Sequence, residues 1–299
     1  MQLLPVALLL GALAAPTASE SFNPLNHLAG IAPYRTINDP PLESAPPQGC
    51  NVTKAAYLIR HAAIYANDFD YESYLEPFVE KLRNTTQDWS KTTDLKFLAN
   101  WTAPVDEEHL EKVTKVGYKE AVELGVNFRT RYASLPHPSK VWSSSADRTT
   151  KTAAGFIEGY TLNKTAGMDL VEVKEKKDTA LGLFNNSAFS GADNVNKTMP
   201  TDEINYGRQW KSSDILPFLT NIAIERLSCD SYGYDEGDYY RVLVNSSPQP
   251  LEDCRGGPGD SCSATKFGDF VKGLGERFGD FVGACGAPKN ESQVVTIYN

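Results

Sequence analysis

The chain carries no excess of positive charge. Its 299 residues hold 29 Lys and Arg against 38 Asp and Glu, a formal net charge of −9. No basic stripe is therefore on offer to neutralise a nucleic-acid backbone, which argues against nucleic acid as a partner. A small anion held in one local arginine pocket is still compatible with an acidic surface. The chain also lacks long apolar runs: the longest, Leu3–Ala15, has 13 residues, where a membrane span needs about 20, so no membrane partner is expected. Metal-ligand spacing is missing as well. There is no C-x-x-C and no His/Cys cluster, so no metal and no other cofactor is expected. Internal repeats and low-complexity tracts are absent, and histidine is scarce, with four in all.

What is present is an ordinary globular composition, 41% hydrophobic and 22% charged, with ample material for a core. Residues 1–18 read as a secretory signal peptide: the apolar run is followed by the small residues Ala14, Ala15, Ala18 and Ser19, although no Lys or Arg precedes it. A secreted, extracellular protein is predicted. Eight N-x-S/T sequons, at Asn51, Asn84, Asn100, Asn163, Asn185, Asn196, Asn245 and Asn290, fit a glycoprotein at that address. The five cysteines, Cys50, Cys229, Cys254, Cys262 and Cys285, then sit in an oxidising compartment, and their odd number leaves one that is free, paired with another chain or missing its partner.

The stretch Ala55–Ile59 is a short apolar run of strand type, and Arg60 and His61 stand side by side where it stops. Strand ends reach into clefts while the strand behind them stays rigid, and in open α/β sheets ligands collect at the carboxyl ends of strands. A neutral imidazole is a nucleophile, and a guanidinium offers planar donors matched to an oxyanion. The pair suits phosphoryl transfer through a phosphohistidine. Taken alone, the dipeptide reads more readily as structural, an ion-paired Arg beside a hydrogen-bonded His.

Upstream, residues 19–54 form a Pro-rich strap tied down at Cys50, extended over the surface or, before Ala32, a disordered leader. Downstream, Asp70–Arg83 reads as a helix interrupted at Pro77, and Asn84–Asp106 as loop. Leu110, Val113, Gly117, Ala121, Leu124, Phe128 and Tyr132 recur at spacings of three and four, which predicts a helix whose apolar face is core. Lys140–Ser144 is a second strand, and Arg148 stands at its end, opening an amphipathic run over Thr149–Tyr160. A helix start also favours a bound phosphate. The plainer alternative pairs Arg148 with Asp147 or Glu158. Ile222–Leu227 and Tyr239–Val244 read as an antiparallel pair. The Gly/Pro loop Cys254–Cys262 offers its ends for a local disulfide. Phe267–Phe281 is a last helix and Val294–Tyr298 a final strand.

Four stretches together resemble the histidine acid phosphatases, the branch of the histidine phosphatase superfamily that includes fungal phytases. They are the strand from Cys50 to Arg60-His61, the helix ending FRTRY, the block VWSSSADRTTKTAAGFIEGY at Val141–Tyr160, and the tail ERLSC, YYRVLVN, LEDC and SC from Glu225 to Cys262. The resemblance implies an α/β fold, a phosphoglycerate-mutase-like sheet sandwiched by helices over residues 55–299, with a reduced helical second domain. It implies that His61 is the nucleophile, that Arg60 and Arg148 clamp the phosphate, and that the substrate is a small phosphomonoester, phytate or another. It also implies the disulfides Cys50–Cys229 and Cys254–Cys262, leaving Cys285 unpaired.

The family pattern RHGxRxP is departed from at Ala62, Ile64 and Ala66. A larger departure is that no His-Asp pair, the family's proton donor, exists: His27, His109 and His137 precede Leu, Leu and Pro. The family's ALGLFNNSAF-like segment, Ala180–Phe189, here abuts the region that follows the Arg148 helix. An internal segment is therefore expected to be missing near 175–179, where Asp178 reads as a charged loop residue. Two functions follow from the resemblance. One is a secreted acid phosphatase; the other is a catalytically impaired member acting at most as a phosphate-binding glycoprotein.

Overall fold

The computed structural model describes Asn23 and residues 28–35, 42–162, 167–174 and 212–278. The signal peptide, the junction at 175–179, Asp178, Ala180–Phe189, Asn163, Asn185, Asn196, Asn290, His27, Cys285 and Val294–Tyr298 lie outside the described residues.

The first strand, β1 (Cys50–Ile59), is twice as long as the apolar run that announces it. Its added first half is held by an antiparallel partner, β4 (Asn221–Cys229), with Cys50 opposite Cys229 and Ile59 opposite Asn221. The register shifts once, between Val52 and Lys54. Next to β4 runs β5 (Gly237–Val244), the antiparallel pair predicted from the alternation, followed by β6 (Ser247–Gln249); β7 (Cys262–Ser263) also pairs with β5. Two further strands, β2 (Lys140–Ser144) and β3 (Asp169–Val173), make a separate parallel sheet. Disulfides join Cys50 to Cys229 and Cys254 to Cys262.

The helical stretch after His61 runs from α1 (Asp68–Asp70) through a π-turn at Tyr71–Leu75 into α2 (Glu76–Arg83), with Pro77, which has no amide hydrogen to give, just past the π-turn. The long helix α3 (Lys115–Arg131) starts later than its periodicity suggests. Thr114 caps it, its Oγ1 accepting from Gly117 N at 2.9 Å, and Glu111 has φ +59, which no helix accommodates. Helix α4 (Asp147–Thr161) lies against α3 so closely that a Cβ at Gly159 would stand 1.9 Å from Val122 O, and one at Gly125 2.2 Å from Phe156 O. Glycine is what allows that approach.

These two helices and β1 enclose the core: Ala121, Leu124, Phe128, Tyr132, Phe156 and Tyr160 are buried together. Tyr57 of β1 meets Phe128 edge-on at 4.7 Å and Phe156 at 5.7 Å. On the opposite face of the sheet, α6 (Ala264–Phe278) stacks Phe267 on Tyr240 at 4.5 Å. A short α5 (Ser212–Ile215) precedes β4. Helices thus lie on both sides of the sheet, as expected.

Alternation along β4 turns Ala223, Leu227 and also Glu225 inward. Glu225 is wholly buried and takes three donors: Arg131 Nε at 2.9 Å, Tyr132 Oη at 2.9 Å and Arg241 Nε at 2.6 Å. The same two arginines reach outward to the strap, giving Nη2 to Ser44 O at 2.7 and 3.0 Å, with Arg241 Nη1 on Ala45 O at 2.9 Å. A buried ion network therefore fastens the strap as well as Cys50 does.

One sequon meets a contrary environment. Asn245 is 1% exposed, its Nδ2 donates to Asp214 O at 2.8 Å, and its Oδ1 accepts from Asn221 N at 3.0 Å. With Ser246 it forms the positive-φ turn between β5 and β6 (φ +49 and +67), a position that favours Asn for its backbone. The turn alone accounts for an Asn there, and both atoms of its amide are engaged inside the fold. Asn51, Asn84 and Asn100 are exposed.

Candidate active site

Sheet pairing carries on past the end of β1 and fixes the Arg60-His61 pair. Arg60 N donates to Thr220 O at 2.8 Å and Leu219 N to His61 O at 3.1 Å. The chain then turns and runs antiparallel to the segment before α3: Thr114 N to Ala63 O at 2.9 Å, Tyr65 N to Lys112 O at 3.0 Å and Glu111 N to Ala66 O at 3.0 Å, with Ile64 bridged to Val113. Ala62, where the family pattern has Gly, is fully buried with an ordinary negative φ, so its methyl belongs to the core without strain. Its N–H donates to Thr152 Oγ1 at 2.9 Å, and Thr152 Oγ1 donates to Arg148 O at 2.6 Å. The first turn of α4 and the tripeptide Arg60-His61-Ala62 are thereby tied together.

His61 donates Nδ1–H to Ala62 O at 2.9 Å. That bond fixes the tautomer in which Nε2 carries the lone pair. Burial, above all, pushes its pKa down to about 4; the charges of Arg60 and Arg148 push the same way, against the Ala62 bond. The ring is thus neutral over most of the acid range, and both guanidiniums are within electrostatic reach of it. Phe218 closes one side, with ring centres 5.8 Å apart.

The two arginines are held differently. Arg60 gives Nη1 to the carbonyls of Gly30, Leu216 (3.0 Å) and Pro217 (3.2 Å), lies 5.1 Å over the Phe218 ring, and has its pKa lowered by burial. Arg148 gives Nη1 to Glu111 Oε2 at 2.6 Å. That partner is neither Asp147 nor Glu158, the latter accepting instead from Tyr118 Oη at 2.7 Å. Ile64, in the place of the pattern's second Arg, pairs with Val113 and brings no charge.

Sequence reasoning missed Glu111, Thr152 and Phe218. Thr152 was findable, since it lies four residues after Arg148 on the same helix face. Glu111 reaches Arg148 only through the pairing of 111–114 with 63–66, which leaves no mark in the sequence. An open cleft lined by Tyr234, Asp235, Tyr239, Arg255 and Lys266 lies at the far end of the sheet, by Cys229, away from His61. Among the described residues no group of three His, Cys, Asp or Glu is placed to hold a metal, and no helix is long and apolar enough to cross a membrane.

Comparison with known proteins adds the following. Residues 51–198 match the family described as histidine phosphatase superfamily (branch 2). An acid phosphatase of Komagataella pastoris is 36% identical over 114 residues, 38% of this chain and 22% of that one. A phytase of Candida albicans is 31% identical over 139 residues, 46% of this chain and 28% of that one. The chain thus spans about a quarter of the length of these curated relatives. The crystal structure of the phytase from D. castellii matches 96% of this chain and 93% of its own with a TM-score of 0.73, at 18% identity, a likeness of fold. By its sequence blocks and its family match, the segment 51–198 belongs to the histidine phosphatase superfamily, branch 2.

Proposed function

We propose that the protein is a secreted phosphomonoester hydrolase of the acid phosphatase and phytase kind, working through a phosphohistidine at His61. The observation that carries this reading is the imidazole itself, with Nδ1–H committed to Ala62 O and Nε2 left as the nucleophile at a pH well below neutrality. Nε2 attacks phosphorus, the P–O bond to the alcohol breaks, and water later cleaves the P–N bond. Arg60 and Arg148 neutralise the phosphoryl oxygens, the electrostatic work on which phosphoryl transfer depends. The substrate is a small phosphorylated molecule, phytate or another phosphomonoester. Two disulfides and the reading of residues 1–18 as a signal peptide support secretion, and Asn51, Asn84 and Asn100 are its glycan acceptors.

The chain has no His-Asp sequence, and this favours a second reading: a member that has lost an internal segment near 175–179 and stalls after phosphorylation, or only binds phosphate. Rapid-quench labelling with a radiolabelled phosphomonoester separates the two. Labelling with turnover in the native protein, and neither in His61→Ala, supports the hydrolase. Label that accumulates without release supports the stalled member. Label retained in His61→Ala refutes both.

A further inference from the structure

We propose that Glu111 is the general acid and then the general base of the His61 cycle, filling the role for which the chain has no His-Asp pair; this rests on the phosphohistidine reading above. Its carboxylate is fixed by Arg148, Nη1 to Oε2 at 2.6 Å. Arg148 in turn is tied to the nucleophile's own backbone through Arg148 O, Thr152 Oγ1 and Ala62 N. From the other side, Glu111 N holds Ala66 O, five residues after His61. Glu111 therefore rides on the segment that lines the loop following the nucleophile, and its side chain is 45% exposed, open to a substrate.

Its backbone is the second observation. Glu111 has φ +59, a region that non-glycine residues rarely occupy. A guanidinium has five N–H donors, enough to hold a carboxylate oxygen and a phosphate oxygen together. Among the described residues, Asp214 pairs with Arg35 and Asp106 with His109.

The proton then has a complete course. As Nε2 of His61 bonds to phosphorus and the P–O bond breaks, Glu111 Oε1–H passes its proton to the leaving oxygen, releasing the alcohol. The carboxylate next takes a proton from water, whose oxygen bonds to phosphorus while the P–N pair returns to Nε2. Inorganic phosphate leaves and Glu111 is again protonated.

The test is leaving-group dependence in Glu111→Gln, with Glu111→Asp alongside and thermal unfolding of each to show that it is folded. Glycerol phosphate needs a protonated leaving oxygen and p-nitrophenyl phosphate does not. Glu111→Gln is expected to lose at least about 100-fold on glycerol phosphate, the usual share of general acid catalysis. With p-nitrophenyl phosphate it should still release a burst of about one nitrophenolate per site before slow turnover, and Glu111→Asp should recover part of both activities. An equal loss on both substrates without a burst, or no loss at all, overturns the proposal. A native protein that labels His61 but never turns over overturns it while leaving the phosphohistidine reading in place. A native protein that takes no label overturns both.

Discussion

Removing the carboxylate of Glu225 takes the shared acceptor away from Arg241, Arg131 and Tyr132 at once. Glu225 and Arg241 have side chains 0% and 4% exposed, and Arg131 is 20% exposed. In Glu225→Ala the Arg241 guanidinium keeps its bonds to Ser44 O and Ala45 O but loses the only carboxylate it faces among the described residues, and Tyr132 Oη loses its acceptor. Breaking a buried pair by deleting one partner costs roughly 3–5 kcal/mol, and the stranded hydroxyl adds about 1 kcal/mol. A domain of this kind has about 5–15 kcal/mol in hand, so the variant should retain native structure with its urea midpoint well below that of the native protein, or fail to fold. Because both arginines also grip the strap, limited proteolysis should cut within residues 42–49 before the body of the variant unfolds. Glu225→Gln, which keeps the volume and one acceptor, should fall between the two. A loss below about 1 kcal/mol in Glu225→Ala, measured by urea unfolding at pH 7, refutes the view that this network holds the strap to the sheet.

Three further outcomes are expected. His61 is neutral in the fold down to about pH 4 but protonates near 6.5 when unfolded. Stability is therefore fully present above pH 6.5 and declines as pH falls toward 4, by about 3 kcal/mol in all. Urea midpoints from pH 4 to 7 should show that slope reduced in His61→Asn, and an unchanged slope counts against the buried neutral imidazole. In Gly117→Ala the new Cβ meets Ala63 O at 2.4 Å and Ala63 N at 2.8 Å, which shifts the loop after His61; a stability loss of about 1–3 kcal/mol and a roughly 100-fold fall in kcat on p-nitrophenyl phosphate are expected, and unchanged kcat contradicts the tight docking. Glycopeptide mapping of secreted protein should find sugar on Asn51, Asn84 and Asn100 and none on Asn245. Sugar on Asn245 contradicts its burial.

Local features were the legible ones. The β4–β5 pair follows from alternation, and α4 from its amphipathic spacing after a strand end. The start of α3 was misplaced because Leu110 and Val113 continue the helical spacing upstream of Thr114, while the Thr114 cap and the φ of Glu111 end it. What was hidden is what the chain does at long range. The Glu225 network joins residues 93, 94 and 16 positions apart, and an acid in a strand pattern reads as a solvated edge rather than a buried anchor. Arg148 and Glu111 meet across 37 positions through a segment with no strand signal of its own. Asn245 satisfies a sequon and a turn with the same side chain, and only the fold decides between them.

Among the described strands β1 pairs with β4 alone, and the disulfide that seals the pair spans 179 positions. A ribosome adding about 5–20 residues per second needs roughly 9–36 s to travel from Cys50 to Cys229. Throughout that interval the nascent chain displays an unmatched strand edge and a reactive thiol. Closure of this sheet edge therefore waits for the last third of translation, and anything that shortens that portion leaves β1 and Cys50 without the partners they have in the fold.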